Sequence, residues 1–260
     1  MNARVSTFGD RWRRFRRQRV KKAGRAMLRR VSRLIEQQSL IGPGPVFPAS
    51  VFPWLADIER EWPRIRAELD RVLETTDRLP TFHDVSPDQK RISRGDNWKI
   101  LPFYVFGDRF DPNLARCPDT AHLLAGVPHL RNAMFSILSP RYHIPAHQGP
   151  TNGIIRIHLG LIVPGGVDVC RIRVGDRVFG WHEGRCVVFD DFFEHEVWND
   201  TDARRVVLFF DVDRPLRPFG ALVNRLMIAA MKQSAYVRDA KRNAHEWDEA
   251  YRKMNGDSKG

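Results

Sequence analysis

Cysteine is scarce in this sequence: the 260 residues include only Cys117, Cys170 and Cys186. Their number is odd, and none of them forms the C-x-x-C spacing of a zinc or redox pair. This argues against a disulfide framework and against a zinc site, and it favours a reducing compartment. Long hydrophobic runs are missing too, since the apolar run at 226–231 is far shorter than the roughly 20 residues of a membrane-spanning helix.

Acidic residues are almost missing from the first 34 positions, which contain 13 Lys and Arg but only one acid, Asp10. The formal charge of the whole chain is +12, and residues 35–260 hold 30 basic and 30 acidic residues. The excess positive charge therefore belongs to the N-terminal segment, and the rest of the chain is neutral.

Residues 1–40 are predicted to be a basic N-terminal arm. Several apolar residues within it share one broad face of a helical projection, although arginines interrupt that face. The apolar residues are Trp12, Phe15, Val20, Ala23, Met27, Val31 and Leu34. A basic amphipathic helix with aromatic residues is typical of a segment that binds an anionic membrane surface. Nucleic-acid binding through the clustered arginines is the less favoured alternative, and a plain solvated tail is another. A secretory signal is excluded, because no apolar region follows the charges.

Residues 41–97 are predicted to be a linker and a helical flank. The Pro- and Gly-rich segment 41–48 cannot be helical. Apolar residues then recur at helical spacing over residues 54–75, with Pro63 marking a break or a second start. The polar segment 77–96 is a candidate loop at the rim of an active-site mouth.

Short β-type runs dominate residues 98–217. They are separated by turn signals and lie at 98–106, 133–138, 154–163, 169–174, 177–181, 186–189, 194–198 and 205–211. Gly175-Asp176 is a two-residue hairpin signal. This spacing favours a mainly β sandwich or jelly-roll barrel over βαβ units. Residues 118–125 are predicted to form a short helix.

The C-terminal extension, residues 218–260, is predicted to be helical only in its first part. Residues 219–235 are apolar enough for a helix that either caps the core or lies at a membrane interface. The charged residues 236–260 are expected to fray.

Two histidines are candidate metal ligands. His147 follows a strand-like run and His195 opens a later strand, so both imidazoles can converge inside a barrel. Non-haem Fe(II) oxygenases use two histidines and a carboxylate. That carboxylate usually lies two residues after the first histidine, where this chain has Gly149. The pattern alone therefore supports a two-histidine site with water in the vacant place, against the alternative of two ordinary histidines.

Five motifs extend this reading: HQGPTN at 147–152, RIHLGL at 156–161, FDD at 189–191, EHEVW at 194–198 and RVVLFFD at 205–211. Together they resemble the aspartyl/asparaginyl β-hydroxylase family over residues 98–217. Members of that family are Fe(II)/2-oxoglutarate dioxygenases with a double-stranded β-helix, a cupin-like jelly roll. They hold iron with two histidines and lack the carboxylate, so Gly149 agrees with the family pattern.

The resemblance implies a role for each matching residue. His147 and His195 are the expected iron ligands. Arg205 is expected to pair with the distal carboxylate of 2-oxoglutarate, for which a planar guanidinium is suited. Ser136 is expected to place a hydroxyl on the same carboxylate, and His158 is expected to contact this cosubstrate. Molecular oxygen is the second cosubstrate.

Two further residues are candidates for substrate binding. Arg156 lies two positions before His158, so both share one strand face. Trp98 is a second candidate, with core packing as the alternative. The acidic neighbours of His195 are candidates for orienting an imidazole, although most are expected to be turn or surface residues: Asp190, Asp191, Glu194 and Glu196.

The predicted substrate follows from the branch of the family that the chain resembles. Bacterial members of this family hydroxylate C-2 of acyl chains on lipid A or ornithine lipids, and residues 211–216 here run into an apolar helix in a similar way. The expected function is therefore acyl-chain 2-hydroxylation by a cytoplasmic protein, peripheral at the inner face of the membrane. Aspartyl or asparaginyl hydroxylation of a peptide or protein is the alternative. An iron halogenase and a non-catalytic cupin-like binding module are less favoured.

Overall fold

The computed structural model of this chain describes residues 30–254, apart from residues 87 and 88. Most of the basic arm, residues 1–29, lies outside the described residues, as does the segment 255–260. Residues 30–37 are helical, and Ile35 among them is fully buried. The end of the arm therefore packs on the core, which the sequence pattern did not indicate.

Eleven strands are present among the described residues, and all of their pairings are antiparallel. They are β1 (Val46–Phe47), β2 (Trp98–Val105), β3 (Asp108–Arg109), β4 (Leu130–Leu138), β5 (Tyr142–His147), β6 (Ile154–Ile162), β7 (Cys170–Val174), β8 (Arg177–Phe179), β9 (Cys186–Phe189), β10 (His195–Asn199) and β11 (Arg205–Asp213).

The strands form two sheets that face each other. The large sheet has the order β1-β9-β6-β11-β4-β2-β3, and the small sheet has the order β5-β10-β7-β8. Gly175, with a φ of 59°, opens the tight turn between β7 and β8, which confirms the predicted hairpin. The mainly β jelly-roll fold is therefore confirmed.

Alternation along the central strand β11 divides the interior into two cores. Val206, Leu208 and Phe210 face outward from the barrel, into a cluster with the N-terminal helices. Val207 and Phe209 face the small sheet and belong to a second cluster between the two sheets. Side chains that point to this second face are thus enclosed inside the barrel.

Helices cover the large sheet and close the ends of the barrel. They are α1 (Leu55–Arg60), α2 (Trp62–Leu73), α3 (Phe82–Val85), α4 (Asp111–Arg116), α5 (Pro118–Ala125), α6 (Pro218–Lys232) and α7 (Ala235–Met254). Short 3-10 turns lie at Ala49–Val51, Thr76–Arg78 and Gly95–Asn97. The expected break near Pro63 is confirmed, because α1 ends at Arg60 and Pro63 lies in the first turn of α2.

Two predictions about the flanks were wrong. The segment 41–48 is not only a linker, because its residues Val46 and Phe47 add a strand to the edge of the large sheet beside β9. Residues 235–254 do not fray: they form α7, whose Val237, Ala240 and Ala244 are buried. Their spacing of three and four residues forms an apolar stripe that the surrounding charges masked. No helix among the described residues is long and apolar enough to cross a membrane.

Candidate functional site

A cavity of about 90 Å³ lies between the two sheets. All seven site residues predicted from the sequence line it: Trp98, Ser136, His147, Arg156, His158, His195 and Arg205. They come from β2, β4, β5, β6, β10 and β11, so the barrel collects side chains from distant parts of the chain. We call this space the site cavity.

The two candidate metal ligands are direct neighbours across the small sheet. His147, the last residue of β5, is paired in register with His195, the first residue of β10. Their ring centroids are 4.1 Å apart, with an angle of 51° between the ring planes. The pairing of the strands shifts immediately after His195, so a local bulge accompanies this position.

Backbone carbonyls orient both imidazoles. Nδ1 of His147 lies 2.8 Å from the carbonyl oxygen of Pro145, and Nδ1 of His195 lies 3.0 Å from that of Phe193. A carbonyl can only accept, so each Nδ1 carries the proton and each Nε2 keeps its lone pair. Burial lowers the pKa of His147 to about 4 and that of His195 to about 3. Both rings are therefore neutral at physiological pH, which is the form that binds metal ions.

Gly149 has no room for a side chain. A Cβ at this position would lie 2.4 Å from the carboxylate of Asp191, whose carbonyl oxygen also accepts a hydrogen bond of 2.7 Å from the Gly149 amide. The place where related oxygenases carry a carboxylate is thus filled by Asp191 from another segment. Among the described residues, no group of three or more His, Cys, Asp and Glu side chains is arranged to hold a metal ion.

Arg205 is a buried cation without a carboxylate partner at one end of the site cavity. Its side chain is 1% exposed, and its Nε and Nη1 have no hydrogen-bond acceptor among the described residues. Its guanidinium stacks over the ring of Trp181, with 4.6 Å between the guanidinium carbon and the ring centroid. Burial lowers the pKa of Arg205 to about 10, so the group stays charged at neutral pH. An anion with two oxygens would satisfy these N–H groups.

Ser136 and Trp98 lie near Arg205 and are hydrogen-bonded to each other. Ser136 is opposite Val207 on the neighbouring strand, two positions from Arg205, so its side chain shares the inner face. The indole Nε1 of Trp98 donates a hydrogen bond of 3.0 Å to Oγ of Ser136. Phe82 of α3 stacks on Trp98 at a centroid distance of 4.1 Å. The segment 77–96 therefore does reach the cavity, as predicted, but it is not only a loop, since Phe82 belongs to the short helix α3.

His158 is enclosed by aromatic rings. It lies opposite Phe209 on β11, and the ring of Phe189 contacts it edge-on at a centroid distance of 5.0 Å. Neither ring nitrogen has a hydrogen-bond partner among the described residues. Burial, with the charge of Arg205 nearby, holds the pKa of His158 well below its usual value. A neutral, unpartnered imidazole at this position can bond to a ligand in the cavity.

Arg156 lies towards the other end of the site cavity and is paired twice. Its guanidinium makes ion pairs of 2.9 Å with Asp211, the residue opposite it on β11, and of 2.9 Å with Asp191. Its guanidinium carbon also lies 4.2 Å from the ring centroid of Phe209. Burial raises the pKa of Asp191 to about 6, although the charge of Arg156 opposes that shift.

The acidic neighbours of His195 have separate partners. Asp190 forms a buried ion pair with Arg214, and Asp191 pairs with Arg156. Glu194 and Glu196 both bind Arg173 on the outside of the small sheet. All four are therefore held in ion pairs, and Asp190 and Asp191 are buried, so the expected surface position does not hold for these two. Asp211 was missed, although its alternation with Arg205 along β11 could have indicated it.

A second cavity of about 90 Å³ adjoins the first. Both cavities are lined by Phe82, Pro150, Arg156, Asp191 and Phe209. Apolar side chains make up most of the remaining lining: Val85, Ile100, Val105, Phe106, Met134, Ile154 and Ala240. We call it the side chamber; α3 and α7 contribute to its wall.

Comparison with known proteins identifies relatives of this chain. Residues 59–215 match the family described as Aspartyl/Asparaginyl beta-hydroxylase. An ornithine lipid ester-linked acyl 2-hydroxylase of Rhizobium tropici is 43% identical over 211 residues, which cover 81% of this chain and 75% of that protein. The human aspartyl/asparaginyl beta-hydroxylase is 32% identical over 163 residues, which cover 61% of this chain but 21% of that longer protein.

Solved structures give a more distant likeness. A cupin_2 domain of a transcriptional regulator from Enterobacter cloacae matches with 11% identity and a TM-score of 0.31. The match covers 45% of this chain and 96% of that domain. The fold assignment accordingly rests on the strand order and pairing described above.

Proposed function

The chain belongs to the aspartyl/asparaginyl β-hydroxylase family, and on that premise we propose that it is an Fe(II)- and 2-oxoglutarate-dependent dioxygenase that hydroxylates C-2 of a lipid acyl chain. One observation carries the proposal: the neutral histidine pair and the unpaired Arg205 share a cavity between the sheets, and a largely apolar chamber adjoins it. In the overall reaction, one oxygen atom of O2 enters the substrate C–H bond. The other enters succinate, formed from 2-oxoglutarate with loss of CO2.

His147 and His195 are the residues that would hold the iron. Their Nδ1–H groups donate to backbone carbonyls, which leaves both Nε2 atoms available as ligands. Bound iron would supply the activation of oxygen that an unreactive C–H bond requires. The protein contributes fixed imidazole orientations and a buried surrounding that keeps water away.

Arg205 is the residue that would bind the distal carboxylate of 2-oxoglutarate. A buried guanidinium with two unpaired N–H groups is costly to keep, and a bidentate carboxylate offsets that cost. Ser136 can add its hydroxyl to the same carboxylate, since its oxygen already accepts from Trp98 and its own proton is free to turn. His158 can donate or accept from one of its two unpartnered nitrogens.

The side chamber favours an acyl chain as the substrate. Its lining is largely apolar, and it opens beside Arg156, where it meets the site cavity. A hydrocarbon segment gains free energy by entering such a space, at about 0.8 kcal/mol for each buried CH₂ group. The rhizobial relative, whose name states acyl 2-hydroxylation, supports the same choice.

Peptide hydroxylation is the alternative, and the human relative supports it. An aspartyl substrate would need a cation at the mouth of the cavity. Arg156, the candidate for that role, already faces the two carboxylates of Asp191 and Asp211. The local charge therefore opposes an acidic side chain but leaves an apolar chain unaffected.

We further propose that the protein works in the cytoplasm at the inner face of the membrane. The support is the basic arm, which carries 13 Lys and Arg in residues 1–34 and suits anionic lipid. On this proposal, the arm would hold the protein at the membrane surface that contains its lipid substrate.

The test uses the purified full-length chain with Fe(II), 2-oxoglutarate and oxygen. Acceptors are an ornithine lipid, a lipid A and an Asp-containing peptide, each in a separate reaction. We expect succinate to form in step with a lipid product that is one oxygen atom heavier, with the hydroxyl at C-2 in its fragmentation spectrum.

The controls separate the chemistry from the substrate. His147→Ala and His195→Ala should both abolish product formation while the fold is retained. If only the peptide gives a hydroxylated product, the alternative function, peptide hydroxylation, would be supported in place of lipid hydroxylation. No consumption of 2-oxoglutarate with any acceptor, and no iron bound, would favour the non-catalytic binding module.

A further inference from the structure

The outer face of α6 is an exposed apolar surface. Phe219, Leu222 and Leu226 lie on it at spacings of three and four residues, and they are 60%, 51% and 64% exposed. The opposite face of the same helix is buried through Gly220, Asn224 and Ile228. The helix is therefore amphipathic in the structure, and its apolar outer stripe has no partner among the described residues.

Leu40 extends this surface across the end of the basic arm. It is 62% exposed, and its amide donates to the carbonyl of Pro215, just before α6. It also lines a surface cavity together with Ala221 and Arg225 of α6. We call Leu40, Phe219, Leu222 and Leu226 the docking face. It holds four of the seven exposed large hydrophobic side chains in the described part of the chain.

The charged residues of α6 itself are all basic. No acidic residue occurs between Asp213 and Asp239, a stretch that contains Arg217, Arg225 and Lys232. Arg217 and Arg225 are exposed beside the apolar stripe. An apolar stripe edged by cations suits an anionic lipid surface, which accepts hydrocarbon and positive charge together.

The basic arm is an unsuitable cover for the docking face, although it emerges beside it. Ser39 pairs with Leu216, and the Arg217 amide donates to the carbonyl of Gln38. Residues 1–29 carry 11 Lys and Arg with the single acid Asp10, so their charge repels Arg217 and Arg225. The described end of the arm thus lies beside α6, next to the docking face.

The docking face is also joined to the active site through the other face of α6. Nδ2 of Asn224 donates a hydrogen bond of 2.8 Å to the carbonyl of Gly153, and the Thr151 hydroxyl lies 3.6 Å from the Met227 sulfur. Thr151 and Gly153 belong to the loop that follows His147. Thr151 and Pro150 of the same loop line the side chamber. A membrane against α6 would therefore lie behind the wall of that chamber.

We propose that α6 is a membrane-docking helix, which inserts the docking face into the surface of an anionic bilayer while its inner face holds the loop after His147. The inference rests on the proposed function for its choice of a lipid partner. It identifies the structural element that brings the side chamber to the acyl chains, a role the basic arm alone does not define.

The test is cosedimentation of the full-length chain with vesicles of phosphatidylglycerol and phosphatidylcholine. In the test variant, Phe219→Ser, Leu222→Ser and Leu226→Ser are combined. The matched control combines Val167→Ser, Val169→Ser and Val178→Ser, which are likewise exposed but lie near β7 and β8. We expect the partition coefficient of the test variant to fall by about tenfold or more, with the control unchanged.

Turnover with a detergent-solubilised lipid provides the second measurement. The test variant should keep wild-type turnover in detergent and lose it on vesicles, because only delivery is impaired. Wild-type binding by the test variant would overturn the proposal. If the wild type binds vesicles but does not hydroxylate the lipid, the proposed lipid hydroxylase activity would be contradicted, whereas the proposed docking through α6 would stand.

Discussion

The two ends of the site cavity hold the same kind of side chain in opposite electrostatic surroundings. Arg205 is 1% exposed and has two unpaired N–H groups, whereas Arg156 is bracketed by Asp191 and Asp211. Both arginines point from neighbouring strands towards one face. On the proposed function, the unpaired arginine would bind the carboxylate of 2-oxoglutarate, whereas the paired one forms part of the cavity wall. Burial alone does not identify a binding residue; an unmet hydrogen-bonding capacity does.

The largest effect is expected at the histidine pair, which lines the same cavity. His147→Ala or His195→Ala should lower turnover of 2-oxoglutarate by about a thousandfold or more, because the metal loses a ligand. Binding of Fe(II) should weaken in parallel, as measured under anaerobic conditions by calorimetry. The matched control is His143→Ala, in the same strand β5 but partly exposed. Equal losses in the control would show that the strand, and not the ligand, is responsible.

The next largest effect is expected at Arg205, at the end of the site cavity where the arginine is unpaired. Arg205→Met should raise the KM for 2-oxoglutarate by about a hundredfold, the cost of a lost charge-assisted bidentate pair. It should also leave the free protein as stable or more stable, by about 1 kcal/mol, since an unpaired buried charge is replaced by an apolar side chain of similar length. Thermal unfolding without 2-oxoglutarate measures this.

The control for Arg205 is its neighbour Arg204, which points to solvent. Arg204→Met should change neither the KM nor the free energy of unfolding by a measurable amount. An Arg205→Met protein that is less stable yet binds 2-oxoglutarate normally would remove the distinction between the two ends.

At the paired end, the same kind of substitution should have the opposite sign. Arg156→Met leaves Asp191 and Asp211 buried without their cation, which should cost about 3 kcal/mol of unfolding free energy. Burial already raises the pKa of Asp191, so the cost should grow as the pH rises and the carboxylate of Asp191 ionises. The KM for 2-oxoglutarate should stay within about threefold of the wild type, because the partner of the cosubstrate is intact. A gain in stability would contradict the assignment.

The sequence could predict the unpaired end and not the paired one. Alternation along β11 places Arg205 and Asp211 on one strand face, and the five motifs fix which strands carry the site. The ion pairs of Arg156 depend on the register between β6 and β11 and on the turn before β10. Neither register nor turn geometry follows from periodicity. The sequence could therefore place Asp211 on the inner face, but it could not pair Asp211 or Asp191 with Arg156.

The flanking elements fall short of prediction for a different reason. The helix α7 buries a stripe of small residues, Val237, Ala240 and Ala244, inside a strongly charged segment. Small side chains add little to an apolar pattern, so the charges dominated the interpretation. Burial of Ile35 and pairing at Val46 and Phe47 depend on docking against the finished barrel. Tertiary packing therefore determines the structure of these elements, whereas the local sequence pattern was enough to predict the core strands.

The smallest effect sharpens the comparison within the unpaired end itself. Ser136→Ala removes the acceptor of Trp98 Nε1 and should cost about 1–3 kcal/mol, because a buried N–H is left unpaired. Trp98→Phe removes the donor instead, so a double-mutant cycle should give a coupling energy of about 1 kcal/mol. The KM for 2-oxoglutarate should rise only about threefold in Ser136→Ala, since a hydroxyl contributes less to a carboxylate than a guanidinium does. If this rise equalled that of Arg205→Met, the charge of Arg205 could not be what selects the anion, and the contrast between the two arginines would lose its functional meaning.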